Sequence, residues 1–168
     1  MVIVTEKFKT TPAMYAGVLL RRWLLNNLWW LLAPVAVFLI LGLKVNNAFF
    51  YFTFIYLLCL GPFVLAVVYF HHALSPAIVS KTFNQFWEFG NSSATAHYLP
   101  ITTIDDRTVA PQVDTLVIDS GKIRKVGITS GNLVLTLRND YDIHLIPLDS
   151  INGKEELSSI IKFYETNS

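Results

Sequence analysis

Two stretches decide the fold: LLNNLWWLLAPVAVFLILGL, residues Leu24–Leu43, and AFFYFTFIYLLCLGPFVLAVVYF, residues Ala48–Phe70. Neither holds a charged side chain. At about 1.5 Å of rise per residue, twenty helical residues span roughly 30 Å, the thickness of a bilayer's hydrocarbon core. Asn26 and Asn27 are costly in lipid, but they stand at the starting end of the first stretch. There Trp23, Trp29 and Trp30 read as an interfacial belt. Only Lys44-Val45-Asn46-Asn47 separates the stretches, so two antiparallel transmembrane helices, 24–43 and 48–70, are expected. Pro34 and Gly61-Pro62 fall near mid-span with no charge beside them, which favours packing geometry over a transport path. A cleaved leader would need a shorter polar region before its apolar core than the twenty-three residues present here.

Charge divides along the same line. Residues 1–70 carry five basic residues and one acid, a net of +4, and residues 71–168 carry eight and eleven, a net of −3. Lys7, Lys9, Arg21 and Arg22 before the first span outweigh Lys44 between the spans. That bias places both termini in the cytoplasm of a multi-pass inner-membrane protein. Arg21, Arg22, Trp23, Trp29 and Trp30 on one side of the hairpin, and His71 and His72 after it, are the expected membrane-interface residues. Adjacent histidines on a helix point about 100° apart, so His71-His72 suits anchoring better than a shared metal ion. An acidic polar half is a poor partner for nucleic acid, whose phosphates favour basic surfaces. The single cysteine, Cys59, excludes a disulfide within the chain and a cysteine metal site.

After Phe70 the pattern turns polar. Ser75-Pro76 is a helix start, and Ile78, Val79, Phe83, Phe86 and Trp87 recur at helical spacing, which predicts an amphipathic connector reaching Gly90. Residues 93–149 read as short strands parted by turns: Thr95–Ile101, Arg107–Ala110, Thr115–Asp119, Lys122–Ile128, Asn132–Arg138 and Asp142–Leu148. Ser120-Gly121, Ser130-Gly131 and Asn139-Asp140 supply turn chemistry. A closing helix from Gly153 to Glu165 carries Leu157, Ile160, Ile161 and Tyr164 as one apolar stripe. The fold class expected is therefore a membrane α-hairpin plus an α+β domain over residues 75–168. That domain would be a small antiparallel, pleckstrin-homology-like barrel or sandwich capped by a C-terminal helix.

The N-terminus enters the same scheme. Residues 1–10 read as a strand, β-branched at its start and alternating against lysines from Val4, and Thr11-Pro12 opens an interfacial helix over 11–23. A lone strand leaves its backbone groups unpaired. The expectation is that residues 2–9 pair with the sheet of residues 93–149 and bury Val4 and Phe8, which makes the hairpin an insertion within one domain.

Ile123-Arg124-Lys125-Val126, Leu133-Val134-Leu135-Thr136-Leu137, Leu145-Ile146-Pro147 and the helix bearing Leu157 and Phe163 carry a resemblance. With the extended N-terminal segment and two-span hairpin, the layout resembles the YcxB-like bacterial membrane proteins. That resemblance implies a pleckstrin-homology-like fold and supplies no catalytic residue.

The remaining constellations read as structure. Asp140, Asp142 and His144 alternate, so Asp142 and His144 share a strand face, which offers two metal ligands (with His97 a third only if its strand is a neighbour), an acid–histidine pair, or a solvated face opposite Ile143 and Leu145; the solvated face is favoured. Lys122, Arg124 and Lys125 form a small basic cluster, read as a solvated edge that blunts unwanted pairing. Asp105-Asp106 reads as turn chemistry, since calcium needs more oxygen ligands. No phosphate loop, nucleophile elbow or zinc signature is present. The expected function is thus a non-catalytic, cofactor-free, membrane-anchored interaction module, its domain binding a protein partner or the bilayer surface. The alternative is an accessory subunit of a transport or envelope complex that contacts partners through the hairpin. Expected partners are the lipid bilayer and an unidentified protein, a second copy of the chain included, but not nucleic acid.

Overall fold

The computed structural model describes residues 2–102, 108–111, 113–138 and 141–166. The chain divides into two compact units: residues 16–74, and an α+β unit built from residues 1–15 together with 75–168.

In the helical unit, the interfacial helix and the first span expected from the sequence are one helix, α1 (Pro12–Lys44), about 50 Å long. The Asn27 side chain turns back to donate to the Trp23 carbonyl at 2.9 Å, which satisfies one of its two donors locally. Asn46 Oδ1 accepts from the Ala48 N–H and starts the return helix. That helix runs as α2 (Ala48–Ile55), a π-helical turn (Tyr56–Leu60) and α3 (Gly61–Ala73). The wide turn has a local cause. Pro62 has no N–H and crowds the carbonyl four residues back, and the Gly61 N–H reaches five residues back to Tyr56 instead. The helices are fastened to each other near Pro34: the Tyr56 hydroxyl donates to the Leu31 carbonyl at 3.0 Å. A Cβ on Gly42 would stand 2.9 Å from the Phe50 ring, so glycine permits that close approach. Both helices are long and apolar enough to cross a bilayer.

Every described strand pair of the α+β unit is antiparallel. One sheet has the order β1 (Ile3–Val4), β3 (Asn84–Phe89), β4 (Ser93–Leu99), β7 (Thr115–Asp119), with β2 (Phe8–Lys9) also on β3. A second has the order β10 (Ile143–Pro147), β9 (Asn132–Thr136), β8 (Lys125–Thr129). A two-residue ladder joins β5 (Ile101–Thr102) to β6 (Thr108–Val109). The core is formed by the inward side chains, among them Trp87, Phe89, Tyr98, Ile118, Leu133, Leu135 and Ile146. The terminal helix α5 (Lys154–Thr166) closes it with Ile160 and Tyr164 buried and Leu157 and Ile161 packed at the margin. A short helix, α4 (Pro76–Val79), precedes β3.

Three expectations need correction. The connector helix stops at Val79, and Asn84–Phe89 is a strand. Its side chains alternate strictly, Gln85, Trp87 and Phe89 inward and Asn84, Phe86 and Glu88 outward, because flanking strands on both sides satisfy the backbone as a ladder. That strand is also the partner of the N-terminal segment, through Ile3↔Phe89, Val4↔Glu88, Phe8↔Gln85 and Lys9↔Asn84. The pairing edge therefore lies at 84–89 rather than within 93–149. Finally, Ile3 and Thr5 are buried there while Val4 is exposed and Phe8 only half-buried.

Candidate functional site

Two features of the α+β unit have the geometry of a site. The first is a buried polar seam that holds residues 3–15, an N-terminal strap, against the rest of the unit. Thr5 is stitched twice to Trp87: its N–H donates to the Trp87 carbonyl at 2.9 Å, and its Oγ1 accepts from the Trp87 N–H at 2.8 Å. The Glu6 N–H donates to the Ser150 carbonyl at 2.8 Å. Thr10 Oγ1 donates to the Lys81 carbonyl, and Gln85 Nε2 donates to that carbonyl and, at 3.4 Å, to Thr10 Oγ1. The Trp87 indole N–H closes the chain on Gln85 Oε1 at 3.2 Å. At the far end the Leu145 N–H donates to the Tyr15 hydroxyl.

Strand β10 explains part of this arrangement. It is an edge of its sheet, and an edge presents unpaired backbone groups. Tyr15 takes the Leu145 N–H, and Lys81 Nζ donates to the Ile143 carbonyl at 3.1 Å and to Asp142 Oδ1 at 2.9 Å. The next outward position in that alternation is Pro147, which has no N–H to leave unpaired.

His144 lies inside this seam, and its expected place on a solvated face is wrong. It is 1% exposed, with its ring edge-on to Trp87 at 5.2 Å between centroids. The alternation that the sequence suggested fails because Ile143, His144, Leu145 and Ile146 are all buried: this edge strand is covered on both faces. Asp142 is held by Lys81 at 2.9 Å. Burial pushes the His144 pKa well below its ordinary value, and the nearby Lys81 ammonium pushes it the same way. His144 Nδ1 is buried without a hydrogen-bond partner.

The second feature is an open cleft of about 190 Å³ where α5 meets the β1–β3 edge, lined by Ile3, Phe89, Gly90, Ile160, Phe163 and Tyr164. Small-molecule sites generally begin near 300 Å³, so the cleft is smaller than a typical ligand site. The Tyr164 hydroxyl donates to the Gly90 carbonyl at 3.2 Å, and burial pushes its pKa up, so the phenol acts there as a neutral donor.

The expected interface residues sit on the apolar helices. Arg21, Arg22, Trp23, Trp29 and Trp30 are on α1, with Trp29 and Trp30 about four-fifths exposed. His71 and His72 end α3 with their rings 5.4 Å apart. In the basic cluster, Lys122 pairs with Asp119 at 3.2 Å on the surface, an interaction worth little in water. Asp105-Asp106, Arg107 and Asp140 lie outside the described residues. Among the described residues no three His, Cys, Asp or Glu side chains stand together as a metal site.

The sequence reading missed the polar seam. Its one legible signal was Gln85-Phe86-Trp87-Glu88-Phe89, in which period-two alternation competes with the helical period that starts at Ile78. Comparisons with protein-family models, with curated proteins and with solved structures find no match.

Proposed function

We propose that this chain is a membrane-anchored, non-catalytic interaction module. Its helical hairpin crosses the cytoplasmic membrane, and its α+β domain, which we take to be pleckstrin-homology-like, engages a protein partner on the cytoplasmic side. The observation that carries this reading is the ladder between the strap and β3. The segments before and after the two apolar helices are hydrogen-bonded to each other in one sheet. Two spans whose outer ends enter one folded domain must leave and return on the same side of the bilayer. The basic residues ahead of the first span make that side cytoplasmic. The likeness to the YcxB-like layout agrees with this arrangement.

Under this reading the cleft beside α5 receives apolar anchors of the partner, in the manner of interface hot spots. Accessibility labelling tests the topology: Asn46→Cys should react with an impermeant maleimide from outside intact cells, and Ser168→Cys only after lysis. Outside labelling of Ser168→Cys would end the proposal. Cross-linked partners recovered from solubilised membranes test the cleft. They should be lost with Phe163→Asp and kept with Phe54→Leu on the hairpin; the opposite result would favour an accessory subunit that acts through its helices.

A further inference from the structure

The seam around His144 has a consequence for the strap. A protonated imidazole needs two acceptors or water. Here Nδ1 is buried with no partner, the ring edge meets the Trp87 indole, and the Lys81 ammonium is close enough to act against a positive ring. Among the described residues, the charged group that acts on the ring is Lys81, and two further titratable groups are bonded to its surroundings. Lys81 comes from the turn after α4, Asp142 on the approach to β10 is bound to Lys81, and the Tyr15 phenol from the start of α1 holds the N–H of the next residue, Leu145. The carboxylate of Asp142 is bound to Lys81, and burial and the Lys81 charge both act against a second proton on the ring. A second proton on His144 is therefore accommodated only if water reaches the ring.

The easiest way in is set by what holds each wall. Strand β9 is paired on both sides, to β8 and to β10. The strap is held by two two-residue ladders and the Thr5, Glu6, Thr10 and Tyr15 bonds, and both of its ends meet the histidine's neighbours. Thr5 grips the backbone of Trp87, on which the ring packs, and Tyr15 grips the N–H of Leu145, the next residue. We propose that His144 is an acid-sensitive latch for the N-terminal strap: when its ring is protonated, residues 3–15 peel from β3 and β10 while the two sheets stay formed. Peeling uncovers the outer edge of β3 and the unpaired N–H of Leu145, two backbone edges open to pairing with another chain. It also frees the segment that leads into the first apolar helix.

Amide hydrogen exchange on the full chain in detergent micelles tests the latch, with rates corrected for the intrinsic effect of pH. Between pH 7.5 and 5.5 the Thr5, Trp87 and Leu145 amides should lose about tenfold in protection, the linkage expected one unit below the ordinary histidine pKa. The Leu133 and Leu135 amides of β9, which open only with the whole unit, should stay well more protected than the strap amides at both pH values. His144→Phe, which keeps a ring against Trp87, should abolish the change, and so should His144→Gln if the phenylalanine does not fit. The latch is overturned by strap amides that lose no protection at pH 5.5, by strap and β9 amides of equal protection there, or by the same loss in a well-folded His144 variant. Imidazole resonances of the wild-type chain give a direct reading. A His144 ring that remains neutral over the range in which the strap opens also overturns it.

Discussion

Ser130 holds its backbone at φ +51 and Gly131 at φ +74, the two left-handed positions of the tight turn between β8 and β9. Such a turn demands positive φ at both central residues, which glycine adopts freely and serine does not. Asn132 Nδ2 steadies the turn by donating to the Ser130 carbonyl. Ser130→Asn should therefore stabilise the unit by about 0.5–1 kcal/mol and Gly131→Val destabilise it by more, both read from urea melts in detergent. His144 gives a pH dependence of definite sign. Its folded pKa lies well below 6.5, so below pH 6.5 the unfolded chain binds the proton that the folded chain refuses. The stability contributed by the neutral ring is complete above that pH and is lost as the pH falls toward the folded pKa. The loss should approach 1.4 kcal/mol per pH unit from this residue, and His144→Phe should flatten the slope measured between pH 7.5 and 5.5. The sequence showed the Ser130-Gly131 turn because its chemistry is local. It did not show the burial of His144, because a histidine flanked by isoleucine and leucine reads the same on a covered edge strand as on an open one.

Among the elements, the hairpin and α5 were legible because length and apolar period are properties of a single segment. Strand β3 was not. Ile78, Val79, Phe83, Phe86 and Trp87 satisfy a helical period, and only the neighbouring strands β1, β2 and β4 decide for the extended form. The cost of removing one neighbour follows from that dependence. Deleting residues 2–9 takes away both short ladders, the double stitch from Thr5 to Trp87 and the burial of Ile3. At about 1 kcal/mol net per hydrogen bond, the loss is several kcal/mol, comparable to the whole stability of a small domain. The deletion should abolish a cooperative melt or lower its midpoint sharply, and an added peptide of residues 1–15 should restore part of it. Within the hairpin, Tyr56→Phe removes the bond to the Leu31 carbonyl. A bond of this kind between apolar helices contributes about 0.6 kcal/mol, so a small loss of thermal stability in micelles is expected, with the helical content unchanged.

For the whole molecule, the α+β unit should fold without the hairpin provided both of its pieces are present. A chain joining residues 1–15 to 75–168 through a short glycine–serine linker should melt cooperatively, whereas residues 75–168 alone should not. Equal melts for the two would remove the strap from the folding unit. By itself the sequence determined two uncharged segments of membrane-spanning length, the charge bias across them, a strand-rich acidic half and an amphipathic closing helix. Each of these is written in consecutive residues, where hydrophobic length, period and turn chemistry act locally. The tertiary structure decided which strand the N-terminal segment pairs with, that Asn84–Phe89 is extended, that Lys81 and Tyr15 cap the outer edge of β10, and that His144 is buried against Trp87. Apart from the β3–β4 hairpin, these depend on contacts between residues some 60 to 130 positions apart. A backbone group chooses its partner, and a polar side chain loses its water, only when the rest of the chain has closed around it.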